Sequence, residues 1–202
     1  MWVDASGTLL NAEESLWILV DIDALKRGEQ AANHLANHDA LTGLANRRAL
    51  EETLNQELAD GQMLAVCFMD LDGFKQVNDT QGHDAGDEVL RVVAARLTAQ
   101  ARAGDCVARL GGDEFVVLLS GLHTPGEAMS VMKRCMEAVR QPIALDGGVM
   151  VQVGSSIGIS ISTAGSSSAN LMQSADEAMY SAKHAGKGRI VQHSDLSQDS
   201  KA

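Results

Sequence analysis

Apolar positions along the chain follow two periodicities, and each predicts a different kind of element. Met63 to Met69 is an unbroken apolar run of strand length, the pattern of a strand covered on both faces. Val107 to Leu119 holds two apolar runs folded back through Gly111-Gly112, the pattern of a hairpin whose tight turn needs positive φ. From Val149 to Ile161 the positions Val149, Val151, Val153, Ser155, Ile157, Ile159 and Ile161 keep one phase. The other face of that strand, Gly154, Ser156, Gly158 and Ser160, is sparse and leaves room for a close neighbour.

Helical spacing fills the gaps. Leu50, Leu54 and Leu58 form one stripe, and Val89, Leu90, Val93 and Leu97 form another in a helix from Asp87 to Gln100, with Asp87 in its first turn. Thr124-Pro-Gly-Glu127 is a capping box that opens a helix carrying Met132, Cys135, Met136 and Val139 and closing near Gln141-Pro142. Ala164 to Ala169 reads as a loop, and a second capping box, Ser174 to Glu177, opens a last helix that stops at Gly186. Beyond Gln192 the composition predicts a disordered tail over 193–202.

The N-terminal stretch is thinner. Residues 1–22 read as two strands, Thr8–Leu10 and Ser15–Val20, flanked by turn-like Asp4–Gly7 and Asn11–Glu14. Over 23–37 a helix places Leu25, Gly28, Ala32 and Leu35 at a/d spacing. It is either a stalk pairing two subunits or a surface helix.

Composition narrows the partners. With 202 residues, 45% of them hydrophobic, the chain can bury one full core and a small appendage. A net charge of −11 argues against a nucleic-acid polymer or an anionic membrane surface, but not against a small phosphorylated ligand met by a local cation cluster. Cys67, Cys106 and Cys135 lack the close spacing of a zinc or redox motif and read as reduced core thiols of a cytoplasmic protein. The longest apolar runs fall far short of the ~20 residues of a membrane span, so the expectation is a soluble chain with no membrane segment.

Chemistry gathers at element ends. Asp70-Leu71-Asp72 closes the Met63 strand, a place where a carboxylate is held rigidly yet meets solvent, as a hard cation requires. Asp113 and Glu114 follow the glycine pair. If the hairpin lies beside the Met63 strand, Asp113 approaches Asp70, and two acids can share a metal pair. Because successive strand residues alternate faces, Asp113 and Glu114 serve one site only if the turn bends the chain.

Four separated motifs, in order, resemble the GGDEF family of diguanylate cyclases. These are His38-Asp-Ala-Leu-Thr-Gly-Leu-Ala-Asn-Arg-Arg48, with Ala45 where proline is usual; DLDGFKQVNDTQGHDAGDEVL from Asp70; RLGGDEF from Arg109; and the run Ser174 to Arg189, ending GKGR with Gly188 in place of asparagine. The resemblance covers about residues 38–190 and implies a domain over 38–192. It implies an α+β fold of the nucleotidyl-cyclase, ferredoxin-like type, a central, mostly antiparallel sheet flanked by helices. It also implies condensation of two GTP into cyclic di-GMP in a homodimer, with two Mg²⁺ (or Mn²⁺) per site.

Carried residue by residue, the metal ligands are Asp70, the Leu71 carbonyl and Asp113, with Glu114 a metal ligand or the group that helps activate the 3′-OH. Lys75, Lys183 and Lys187 contact phosphate; Phe74, Asn78, Asp87, Gly111 and Gly112 bind substrate, with Asn78 and Asp87 reading the guanine edge. An amide and a carboxylate suit guanine, which offers an acceptor O6 beside N1 and N2 donors. Arg102-Ala-Gly-Asp105 resembles the inhibitory product site. The segment LWILVDIDALKRGEQ resembles the tail of a PAS sensor, an ordinary hairpin being the alternative. Two other functions stay open: a non-catalytic cyclic di-GMP receptor, against which the intact acids and Lys75 argue, and a dimerising signalling module.

Overall fold

The computed structural model describes residues 2–9, 15–24 and 36–199, and the chain divides into two units between Asn37 and His38. In the first unit β1 (Val3–Leu9) pairs antiparallel with β2 (Ser15–Asp21), from Val3 opposite Asp21 to Leu9 opposite Ser15. The first strand therefore starts earlier than the apolar pattern predicts. Asp4–Gly7 lies inside the ladder because β2 supplies a backbone partner for each of those residues. The expected turn at Asn11–Glu14 and the stripe Leu25, Gly28, Ala32 and Leu35 lie outside the described residues.

The second unit is built around β3 (Ala65–Asp72), buried from Ala65 to Leu71 as its unbroken apolar run requires. Cys106–Gly111 forms β4 and Glu114–Leu119 forms β5, the two arms of the glycine hairpin. Farther along, β6 (Ile143–Ala144) and β7 (Met150–Val151) pair with each other, while β8 (Gly154–Ile161) and β9 (Ile190–Gln192) complete the main sheet. The order is β4-β5-β3-β8-β9, antiparallel except for β8 with β9. The single strand expected over Val149–Ile161 is thus two strands in two sheets. Gln152, at the break, turns its side-chain amide to the Arg140 carbonyl.

Helices cover both faces. On one, α1 (Arg47–Ala59) and α5 (Ser168–His184) bury Leu50, Leu54, Leu171, Ala175 and Met179 against Val66, Phe68, Val116 and Leu118. On the other, α2 (Phe74–Gln81), α3 (His83–Gln100) and α4 (Pro125–Val139) cover Ala65, Cys67, Met69, Phe115, Val117, Ile157 and Ile159. The alternation of the two lists along β3 is the period of two expected of a strand buried on both sides.

Gly158 shows what the sparse face of β8 is for. A Cβ there would stand 2.0 Å from the Ala175 carbonyl oxygen and 2.1 Å from the Met179 nitrogen, so α5 packs with its backbone against the strand. Opposite, the Arg96 guanidinium donates to the carbonyls of Val139, Gln141 and Pro142 and satisfies the end of α4.

Three helix boundaries differ from the sequence expectation. The polar stretch after Asp72 holds α2, separated from α3 by Gly82 at φ +89°, so α3 begins at His83 and Asp87 sits beyond its first turn. Packing of Phe74 and Val77 into the core explains a helix that polar composition hides. α5 begins at Ser168, where the Ser167 hydroxyl accepts from Asn170 N, leaving Ser174 inside the helix. Beyond Gln192 the chain continues as α6 (His193–Asp199) where a disordered tail was expected, with His193 beside Glu177 of α5 at 3.3 Å. No described helix is long and apolar enough to cross a membrane.

Candidate active site

Register carries the acids together. Asp70 is the ladder partner of Glu114 where β3 and β5 end, and Leu71 N donates to the Asp113 carbonyl at 3.3 Å. The turn does bend the chain: the ladder shifts between Arg109 and Gly111, and Gly111 and Gly112 take φ of +142° and +52°. The Arg109 side chain fixes this shape. Its Nε and Nη2 donate to the Gly112 carbonyl at 3.0 and 2.8 Å, while Nη1 reaches both carboxylate oxygens of Asp39 at 2.9 and 3.0 Å. Burial works against the charge on Asp39, yet bonds from Thr42 and Arg109 hold its carboxyl below the usual range. The opening motif thereby props the hairpin that carries Asp113 and Glu114.

α5 supplies the counter-charge. Lys183 Nζ lies 2.6 Å from Asp70 Oδ2, and Asp70 is only 8% exposed. Burial pushes the Asp70 carboxyl up, and Asp113 and Asp72 push the same way, against the hydrogen bond from Lys183. Glu114 is likewise raised, by burial first and then by Asp70, Asp176 and Asp113, with Lys183 opposing. Around Asp70 and Glu114 the charges of Asp113 and Asp176 add to the crowding, and Lys183 opposes it. That excess of hard oxygen donors fits a divalent ion such as Mg²⁺. Among the described residues no three such side chains already form a metal cage, and the cation beside Asp70 is the Lys183 ammonium. Asp176 has no counterpart among the residues expected from sequence, because only the packing of α5 brings it to the acids.

A second group lies where α2 meets α3. Asn78 Oδ1 is buried and has no hydrogen-bond partner. It faces Gly86, where a Cβ would stand 1.9 Å from it and 3.3 Å from Phe74 Cζ. Gly86 thus makes the room for Asn78 and directly precedes Asp87, which is half-buried, while Phe74 is 8% exposed and Lys75 projects into solvent. An orphaned buried acceptor costs about 1–3 kcal/mol, a cost that a ligand's N–H donor would remove. Lys187 lies in the turn after α5 with φ +62°.

Arg102 and Asp105 lie apart from the acids and contact each other. The Arg102 backbone N–H donates to Asp105 Oδ2 at 2.9 Å, its Nε stands 3.5 Å from Oδ1, and its Nη2 donates to the Ser120 carbonyl at 2.6 Å. Asp105 is 1% exposed at the side chain and Arg102 52%. Both line a cavity of 560 Å³ with Arg134 and Ser130.

Known proteins resemble this chain in sequence and in fold. Residues 36–189 match the family described as diguanylate cyclase, GGDEF domain. The chain is 42% identical over 160 residues to the diguanylate cyclase TpbB of Pseudomonas aeruginosa (strain UCBPP-PA14), covering 77% of this chain and 37% of that protein. It therefore spans about a third of that relative's length. The crystal structure of the GGDEF domain of TpbB (YfiN) superposes with a TM-score of 0.72 at 40% identity, over 75% of this chain and 97% of that one. The GGDEF domain of DgcB from Caulobacter crescentus, solved in complex with c-di-GMP, gives a TM-score of 0.75 at 28% identity, over 79% and 96%. By sequence and by fold, the chain belongs to the GGDEF diguanylate cyclase family.

Proposed function

We propose that this domain condenses two GTP molecules into cyclic di-GMP and two pyrophosphates. The observation that carries the reading is the facing pair Asp70 and Glu114 at the open end of the ladder, with Lys183 between α5 and β3. Asp70, the Leu71 carbonyl, Asp113 and Glu114 would hold Mg²⁺ or Mn²⁺, two per site. Ions bound there would offset charge on the triphosphate and lower the pKa of the ribose 3′-OH.

The remaining roles fall to the chain. Glu114, as the alternative to ligating an ion, takes the 3′-OH proton as that oxygen attacks the α-phosphorus and pyrophosphate leaves. Asn78 and Asp87 read the guanine edge; adenine presents the opposite donor pattern and leaves them unpaired. Phe74 backs the Asn78 pocket, and Gly111 and Gly112 let the nucleotide approach the backbone. Lys75, Lys183 and Lys187 offset charge on the triphosphate.

Each subunit holds one GTP, so the working species is a homodimer with its two sites facing. Cyclic di-GMP binding at Arg102 and Asp105 would stop turnover. The hairpin β1–β2 is read as the tail of a PAS-like sensor, and the working compartment as the cytoplasm.

Incubation with GTP and Mg²⁺ across a range of protein concentrations, assayed for cyclic di-GMP and pyrophosphate, tests the reading. The expected outcome is one pyrophosphate released for each GTP consumed, with specific activity rising as dimer forms. Cyclic di-GMP binding without GTP consumption would replace the enzyme with a receptor.

A further inference from the structure

Asp72, the last residue of β3, is gripped from two elements. The Ser156 hydroxyl on β8 donates to its carboxylate at 2.9–3.0 Å. Its Oδ2 also accepts the Gly188 N–H at 3.0 Å, across 116 positions of chain. Its ladder partner Gly154 leaves the space, since a Cβ there would stand 3.3 Å from Asp72 Cβ.

The turn that Asp72 holds is a strained one. Gly186, Lys187 and Gly188 all have positive φ, at 112°, 62° and 58°. For a lysine this conformation costs about 1–2 kcal/mol, so surrounding contacts must hold it. They are Lys187 N to the Ala182 carbonyl, Gly188 N to Asp72, and Ile157 N to the Arg189 carbonyl. Among the described residues no carboxylate forms an ion pair with the Lys187 ammonium.

We propose that Asp72 is a positioning residue: as a hydrogen-bond acceptor fixed by Ser156, it locks the 186–189 turn so that Lys187 meets the triphosphate chain of the bound nucleotide. This rests on the GTP reading above. Asparagine at position 72 keeps an oxygen for the Gly188 N–H and an amide for the Ser156 hydroxyl; alanine keeps neither.

The test has two arms. In nucleotide-free protein, hydrogen exchange of the 186–189 amides should quicken in Asp72→Ala and stay near wild type in Asp72→Asn. In binding, Asp72→Ala should weaken a GTP analogue that cannot release pyrophosphate by about tenfold, the worth of one charge-assisted contact. GMP affinity should hold, and Asp72→Asn should retain both. Ser156→Ala, which leaves β3 intact, should give the same pattern at smaller size and replaces Asp72→Ala if that variant fails to fold. Unchanged exchange in Asp72→Ala overturns the latch. An Asp72→Asn protein that loses GTP-analogue affinity as fully as Asp72→Ala overturns the acceptor role in favour of the charge. Quickened exchange in a protein whose wild type binds no GTP upholds the latch and overturns the nucleotide reading.

Discussion

Asp70 and Glu114 oppose each other as a ladder pair at the ends of β3 and β5, and both carboxyls lie above their ordinary range. A carboxyl raised in the fold binds more protons folded than unfolded between its two pKa values, so stability falls as pH rises through that window. In metal-free buffer the melting temperature should climb as pH is lowered from neutrality into that window, above the ordinary carboxylate range. Glu114→Gln should flatten the climb and melt higher than wild type at pH 7, while losing about a hundredfold or more in turnover. Melting curves against pH beside a pyrophosphate assay check both. A variant that melts no higher would contradict the crowding of charge.

The contact of Gly86 with Asn78 is tight enough to test alone. Gly86→Ala must displace the Asn78 amide, because the new Cβ would fall 1.9 Å from its oxygen. We expect about a tenfold loss of GTP affinity, near the worth of one hydrogen bond at a buried group, and poorer discrimination against ATP. Gly126→Ala, whose nearest neighbour is 4.0 Å away, is the control and should leave both values intact.

Gly158→Ala should cost about 3 kcal/mol or more, because the atoms it meets are α5 backbone and cannot rotate away. A urea titration measures it. Since α5 carries Lys183 and Asp176, turnover at temperatures where the variant is still folded should fall as well.

For Arg102, truncation to alanine removes the exposed half of the Arg102–Asp105 pair and the bond to the Ser120 carbonyl. The concentration of cyclic di-GMP needed for half inhibition should rise about tenfold or more, the usual effect of deleting a charge-assisted hydrogen bond. An unchanged inhibition curve would remove the regulatory role assigned to this pair.

Much of the sheet was legible because its strands announce themselves locally. The Met63 run has the pattern of a buried strand, which the structure begins at Ala65, and the glycine pair that of a turn, so the meeting of Asp70 with the RLGGDEF acids followed from one assumption of adjacency. What escaped depends on distant partners. α2 is polar in sequence and becomes a helix by burying Phe74 and Val77. Ser174 and Glu177 satisfy the capping pattern, but Leu171 is buried and Ser167 caps, so α5 starts earlier. The bonds Arg109 to Asp39 and Asp72 to Gly188 join residues whose spacing carries no local signal.

The latch across 116 positions and the Lys183 ion pair also order events in time. A ribosome lays down every strand of the acidic edge before it releases the helix and turn that neutralise and clasp it. The nascent chain therefore carries the carboxylates of this edge without their partner Lys183 until α5 emerges, so the edge should settle only after that helix has been made.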